Sequence, residues 1–196
     1  MLTENGAITA LSGIQRMDMQ TLYWIAEHLR CAFLDWLMPL VSALGNYGIL
    51  WILLAVMLIC TKRYRFTGIA LGLSLLLGLL TGNLLLKPMV GRLRPFEVDE
   101  SIALLISPPQ DASFPSGHTL ASFEAASVLM ARHRRTLGPP VLVLAFLIAF
   151  SRLYLQVHFP SDVFFGMLLG FVNALIGLLL TNRLAGGPGK EKNRCK

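Results

Sequence analysis

Three short segments of this sequence carry lysine, arginine, histidine and serine at spacings that suit phosphate chemistry. They are Lys87-(six residues)-Arg94-Pro95, Pro115-Ser116-Gly117-His118 and Ser151-Arg152-(five residues)-His158-(three residues)-Asp162. Side chains of these types bind anions, attack phosphorus and protonate leaving groups. The sequence therefore predicts a site that processes phosphate, provided that the fold brings the three segments together.

The basic residues of these segments match a single phosphate group. Arginine offers a planar fork of donors and lysine a point charge, so Lys87, Arg94 and Arg152 suit its equatorial oxygens. Ser116 and the amide of Gly117 precede a predicted helix N-terminus, which is itself an anion site. We expect these five residues to bind the phosphate of a substrate.

The two histidines have separate predicted roles. One must attack phosphorus while the other protonates the departing oxygen. His158 is followed four residues later by Asp162, a carboxylate able to hold the imidazole ring and stabilise the cation that forms. We therefore expect His158 to be the nucleophile, His118 the general acid and Asp162 the orienting acid.

The composition is that of a membrane protein. The 196 residues are 55% hydrophobic and 14% charged, whereas soluble domains carry about a quarter charged residues. Residues 66–86 and 163–182 contain no charge, and a helix needs roughly 20 such residues to cross the hydrocarbon core. The net charge of +6 does not indicate nucleic-acid binding, because no soluble domain is available to present a basic face.

The remaining elements are predicted from periodicity and from breaks at proline and glycine. An amphipathic helix at residues 20–30 suits the bilayer interface, and residues 32–60 suggest a hairpin with arms at about 32–44 and 47–60. Helices are expected at 117–131, from 138 to about 156, and from Pro160 onward. The predicted fold is an all-α, polytopic membrane helical bundle of five or six spans with an amphipathic N-terminal helix.

One membrane domain accounts for residues 1–196. It comprises an N-terminal amphipathic and hairpin region at 1–45, a helical core at 46–182 and a basic cytoplasmic tail at 183–196. Basic clusters at 62–65, 132–135 and 183–196 favour the cytoplasmic side. Alternating spans then place 87–116 and 156–162 together on the extracytoplasmic face. We expect a multi-pass protein of the cell membrane, with its C-terminus in the cytoplasm.

The three motifs together resemble the signatures of the PAP2 (type 2 phosphatidic acid phosphatase) superfamily, without a departure and in the expected order. The resemblance covers residues 87–162. It implies a phosphohistidine intermediate at His158, protonation of the leaving group by His118, and no metal or other cofactor. The small size and outward-facing site are similar to bacterial members that act on undecaprenyl diphosphate, which makes an anionic lipid phosphate the expected partner.

Other functions remain open at this stage. The same motifs suit a phosphatidate or phosphatidylglycerophosphate phosphatase, or a lipid phosphotransferase with an acceptor other than water. A transporter or non-catalytic binder of lipid phosphates is the alternative outside enzymes.

Two further residues have expected structural roles. Arg92 is expected to be a solvated loop charge, and Trp51 an interfacial anchor. The sequence gives no indication of the oligomeric state.

Overall fold

The structure is a computed structural model that describes residues 4–185, with side chains from residue 13 onward. Its regular elements in this part of the chain are all helical. The helices are α1 (Glu4–Leu29), α2 (Ala32–Ala43), α3 (Ile49–Cys60), α4 (Arg65–Gly78), α5 (Lys87–Val90), α6 (Pro95–Val98), α7 (Gly117–His133), α8 (Gly138–Tyr154) and α9 (Pro160–Leu184). The prediction of an all-α fold is confirmed. The predicted tail lies largely outside the described residues, at 186–196.

Apolar length supports the membrane assignment. By length and hydropathy, the largely helical stretches Ala32–Cys60, Arg65–Val98 and Pro160–Leu184 are able to cross a membrane, and Gly138–Tyr154 is a shorter apolar helix. The N-terminal helix α1 is longer than the predicted 20–30 segment and includes nearly all of it. Its position at the bilayer interface stays a prediction.

The segment expected to be a hairpin is instead a bend. Helix α2 packs against α8, whereas α3 packs against α4, so the two arms do not lie side by side. Tyr47 and Gly48 at the bend have positive φ angles of 52° and 67°, which redirect the chain. Polar bonds hold α2 on α8, because the Tyr154 hydroxyl donates to Asp35 at 2.7 Å and Arg152 donates to Ser42.

Contacts between distant residues define two ends of the bundle. At one end, His118 at the start of α7 contacts Asn46 of the bend. At the other end, the Thr67 hydroxyl of α4 lies 2.9 Å from His133 Nε2 at the end of α7. The helices α3, α4, α7, α8 and α9 run alternately between these ends. The basic clusters at 62–65 and 132–135 therefore share the end opposite His118, as the alternation of spans predicts.

The core between these helices combines large apolar side chains with close backbone approaches. Trp51 is 1% exposed and donates to the Ser122 hydroxyl at 3.1 Å, so the expectation that it anchors the chain at the interface was wrong. Gly170 of α9 allows α7 to approach so closely that an added Cβ would lie 2.7 Å from the Leu120 carbonyl oxygen. Small residues at such crossings are typical of membrane helices.

The helical segment before Lys87 changes from an α-helix to a π-helix. Residues Leu79–Leu86 form a π-helix, a rare conformation that recurs at functional sites. A buried polar bridge lies beside it: Asn173 donates to Glu124 Oε1 at 2.9 Å and lies 3.3 Å from the Thr81 hydroxyl. Glu124 of α7 is therefore paired with another helix, since Asn173 belongs to α9.

Candidate active site

The three motif segments meet at one end of the bundle through backbone and side-chain bonds. Arg94 Nη1 donates to the Val157 carbonyl oxygen at 2.6 Å, which joins the first segment to the third. The amide of Ser116 donates to the carbonyl oxygen of Asp162 at 3.2 Å, which joins the second to the third. The convergence expected from topology is thus present in the structure.

His158 lies in the short connection between α8 and α9 and is almost completely buried. Its Nδ1 is 3.6 Å from Asp162 Oδ2 and 3.5 Å from the Ser113 hydroxyl, which itself donates to Asp162 at 2.5 Å. Asp162 is the third residue of α9 and also accepts the amide of Phe159 at 3.0 Å. This geometry fixes one side of the imidazole ring against the carboxylate.

The other ring nitrogen of His158 faces Arg94. Arg94 Nη1 lies 3.3 Å from Nε2, and because a guanidinium can only donate, Nε2 must accept. The proton of the neutral ring is then on Nδ1, facing Ser113 and Asp162. Burial, reinforced by the charges of Arg152, Arg94 and Lys87, lowers the pKa of His158 well below its ordinary value. Both effects favour the neutral imidazole, whose lone pair on Nε2 accepts the hydrogen bond from Arg94.

Arg152 near the end of α8 is a buried cation with unused donors. Its residue is 3% exposed, it donates to Ser42, and its Nε has no hydrogen-bond partner among the described residues. No carboxylate of residues 13–185 lies within 4.0 Å of it. A buried charge without a counterion is costly, so this arrangement favours binding of an anion.

Lys87 and Arg94 share one carboxylate, that of Asp111. Lys87 Nζ bonds to Oδ2, Arg94 Nη2 donates to Oδ1 at 2.7 Å, and Arg94 Nε donates to the Asp111 carbonyl oxygen at 2.8 Å. Although burial alone would raise it, the hydrogen bond from Lys87 and the charges of both cations lower the pKa of Asp111 to about 2. The Asp111 side chain is 55% exposed, so a phosphate is able to compete with it.

The second motif presents the N-terminus of α7. The Ser116 hydroxyl accepts the Thr119 amide at 3.5 Å, which confirms the predicted N-cap. A Cβ added to Gly117 would lie 3.8 Å from Lys87 Nζ, so the lysine reaches this helix end. His118 Nε2 lies 3.0 Å from Asn46 Oδ1, and Gly45 packs directly against the ring. His118 also lies within the electrostatic influence of Arg152, Lys87 and Arg94.

Arg92 is not the solvated loop charge that the sequence suggested. Its side chain is 20% exposed and pairs with Asp162 at 2.5 Å and with Asp18 at 2.7 Å. The reason is that α1 folds back over this end of the bundle and supplies Asp18.

Several residues of this end were missed by reasoning from sequence. They act through partners that are far away in the chain, and they are Asp18, Ser42, Asn46, Asp111 and Ser113. Only the position of Asn46, in the Gly-Asn-Tyr-Gly turn, gave a local signal, and that signal indicated a turn and not a contact with His118.

Comparison with known proteins identifies the family to which this chain is similar. The model of the PAP2 superfamily matches residues 67–185. An undecaprenyl-diphosphatase from Sulfolobus acidocaldarius is 33% identical over 164 residues, covering 83% of this chain and 79% of the relative. A decaprenylphosphoryl-5-phosphoribose phosphatase from Mycobacterium tuberculosis is 34% identical over 154 residues, covering 78% and 81%. The crystal structure of Aquifex aeolicus LpxE has a TM-score of 0.71 and 28% identity, covering 83% of this chain and 95% of that one.

Proposed function

Because the chain belongs to the PAP2 superfamily and is a membrane phosphatase, we propose that it hydrolyses undecaprenyl diphosphate to undecaprenyl phosphate, without a metal, through a phosphohistidine at His158. The observation that carries this proposal is the uncompensated charge of Arg152 next to the Lys87 and Arg94 pair. A terminal phosphate supplies the missing counterion and bonds to donors that are unused in the free protein.

The geometry supports a two-step reaction. Nε2 of His158 attacks the terminal phosphorus, the bridging P–O bond breaks, and its electron pair goes to the lipid phosphate oxygen, which His118 protonates. His118 then takes a proton from water, whose oxygen attacks phosphorus. The P–N bond breaks, its electrons return to Nε2, and inorganic phosphate leaves. Lys87, Arg94 and Arg152 stabilise the charge on the equatorial oxygens in both steps.

An apolar groove next to the site offers a path for the lipid chain. The groove has a volume of about 240 Å³ and runs from the site loop down the outer side of α9. Its lining residues are Leu86, Phe114, Pro115, Phe165, Leu168, Leu169 and Val172. Leu86 precedes Lys87, and Pro115 precedes Ser116, so a head group bound by those two residues places its chain at the mouth of the groove.

The names of the relatives support a polyprenyl substrate over a glycerolipid. The relatives from Sulfolobus acidocaldarius and Mycobacterium tuberculosis are named for undecaprenyl and decaprenyl compounds, and each aligns with more than three quarters of this chain. The apolar groove on one side of α9 offers contact to a prenyl chain. Phosphatidate and phosphatidylglycerophosphate carry two chains and serve as the comparison substrates.

The proposed orientation places the active site on the extracytoplasmic face of the cell membrane and the C-terminus in the cytoplasm, in accord with the positive-inside rule. Cys31 lies exposed near the site end, between α1 and α2, and Cys60 lies at the opposite end. In a variant that keeps only Cys31, a membrane-impermeant maleimide added to intact cells is expected to label the protein. Labelling only after permeabilisation contradicts this orientation.

The direct test is phosphate release by purified protein in detergent. Undecaprenyl diphosphate, phosphatidate and phosphatidylglycerophosphate are supplied separately, with and without EDTA and with no acceptor except water. We expect the fastest release from undecaprenyl diphosphate and no effect of EDTA. A preference for a glycerolipid contradicts the substrate, loss of activity with EDTA contradicts the metal-free mechanism, and release that requires an added alcohol indicates a phosphotransferase.

A further inference from the structure

The N-terminal helix α1 reaches the active site through one buried carboxylate, that of Asp18. The residue is 5% exposed although it lies on a helix whose neighbouring residues face outward. Its Oδ1 accepts the Ser161 amide at 3.0 Å, and its Oδ2 accepts the Ser161 hydroxyl at 2.5 Å and Arg92 Nη2 at 2.7 Å. All its partners belong to other parts of the chain, so α1 is bound to this end of the bundle.

Arg92 uses the other half of its guanidinium on the orienting carboxylate. Its Nη1 donates to Asp162 Oδ1 at 2.5 Å and to the Ser161 hydroxyl at 2.7 Å, and its charged carbon lies 4.0 Å from the centre of the Phe159 ring. The guanidinium thus bridges two carboxylates, one from α1 and one beside His158. A planar fork makes such a bridge with fixed geometry, which a lysine is unable to reproduce.

The bridge determines where the second oxygen of Asp162 points. With Oδ1 bonded to Arg92, Oδ2 faces the Ser113 hydroxyl, the Phe159 amide and Nδ1 of His158. Asp162 is fully buried, so it needs a positive partner while the imidazole is neutral. Arg92 supplies that charge, and Asp18 holds Arg92 in place.

We propose that Asp18 is a positioning residue of the active site, which acts through Arg92 on Asp162 and so on the orientation of the His158 imidazole. This inference rests on the proposed nucleophilic role of His158. It makes α1 part of the catalytic structure and not only a membrane-surface helix. The competing view is that Asp18 only caps the N-terminus of α9 at Ser161 and so docks α1.

The experiment compares Asp18→Asn, Arg92→Gln and the double variant with wild type, using Glu27→Gln as a control because Glu27 is an exposed carboxylate on the same helix. Substrates are farnesyl diphosphate and p-nitrophenyl phosphate, so that activity is measured with and without a prenyl chain. Vanadate adopts the five-coordinate geometry of phosphoryl transfer at the nucleophile, so its inhibition constant reports on His158 separately from kcat and KM.

We expect Asp18→Asn to lower kcat about tenfold, because removing the partners that orient a functional histidine has an effect of this size. KM is expected to change less than twofold, and inhibition by vanadate is expected to weaken in parallel with kcat. The double variant is expected to match Arg92→Gln, because Asp18 acts through Arg92. Glu27→Gln is expected to match wild type. The proposal is overturned if the losses in kcat of the two single variants multiply in the double variant, or if Asp18→Asn leaves kcat unchanged.

A variant that retains the positive charge of residue 92 separates an effect on catalysis from an effect on folding. Arg92→Lys keeps the cation but cannot bond both carboxylates at once, so kcat and vanadate affinity are expected to fall. The melting temperature is expected to stay within 2–4 °C of wild type, which corresponds to a change of about 1 kcal/mol in the free energy of unfolding. Loss of stability without a change in kcat supports the capping view and overturns ours. Wild-type protein that neither hydrolyses these substrates nor binds vanadate contradicts the proposed function itself.

Discussion

Arg94 donates to Nε2 of His158 across 3.3 Å, and this contact determines the tautomer of the ring. Since arginine has no acceptor, the lone pair of the imidazole faces the guanidinium and the proton faces Asp162. The nitrogen that we propose as nucleophile therefore points toward a cation that we propose to bind phosphate. Under this proposal, phosphate binding and nucleophilic attack involve the same atom of His158.

The first prediction concerns Asp111, which holds Lys87 and Arg94 in the free protein. Asp111→Asn removes the carboxylate that competes with substrate, so inorganic phosphate is expected to inhibit up to about fivefold more tightly, the range for a half-exposed ion pair. The matched control is Asp99→Asn in the same loop, whose partners are Tyr23 and Ser101. Weaker phosphate inhibition in Asp111→Asn, measured as a competitive inhibition constant, contradicts the expectation.

The second prediction concerns Asn46, whose amide contacts His118. Asn46→Ala frees the ring that we propose as general acid, and a misoriented acid loses part of the usual 10²–10⁴-fold contribution. We expect kcat to fall roughly tenfold with little change in KM. Asn182→Ala serves as the control, because Asn182 binds Arg132 at the opposite end. An equal loss in both variants indicates a general effect on folding and not on His118.

The third prediction is the charge state of His158. Burial and the nearby cations lower its pKa, so the ring stays neutral below the ordinary value of about 6.5. The unfolded chain takes up a proton there and the native protein does not, so this group makes the free energy of unfolding fall as the pH drops below about 6.5. Histidine NMR of the free protein, assigned with His158→Asn, is expected to show a midpoint for this ring below 6.5. A midpoint at or above 6.5 contradicts this.

The fourth prediction tests the groove along α9. Leu169→Trp fills it, so KM for undecaprenyl diphosphate is expected to rise several-fold while hydrolysis of p-nitrophenyl phosphate is unchanged. The control is Leu179→Trp, an exposed position further along the same helix. If the two tryptophan variants have the same KM for the lipid, the chain does not bind in this groove.

Local sequence predicted the parts of the structure that depend on neighbouring residues. Ser116 was predicted as an N-cap and Pro160 as the first residue of a helix, and both are confirmed. The motif residues converge because their helices begin or end at one surface, which follows from alternating spans. The roles of His118, His158 and the three phosphate-binding cations stay predictions.

The parts that were missed depend on contacts between distant segments. Asp18 is separated from Arg92 by 74 residues, and no periodicity indicates that a polar residue of an N-terminal helix turns inward to meet it. The bend at residues 46–48 was expected to close a hairpin, but Asp35 and Ser42 bond to α8, which no pattern within 32–60 indicates. Such pairings are determined by tertiary packing and require coordinates.

The most direct test of the central claim is to trap the phosphoenzyme. Purified protein is mixed with undecaprenyl diphosphate labelled in its terminal phosphate, quenched within milliseconds in alkali, and analysed by mass spectrometry. The account predicts an acid-labile, base-stable phosphate on His158, absent from His158→Ala, which folds and inserts but does not turn over. Label on any other residue, or wild-type turnover by His158→Ala, contradicts the account.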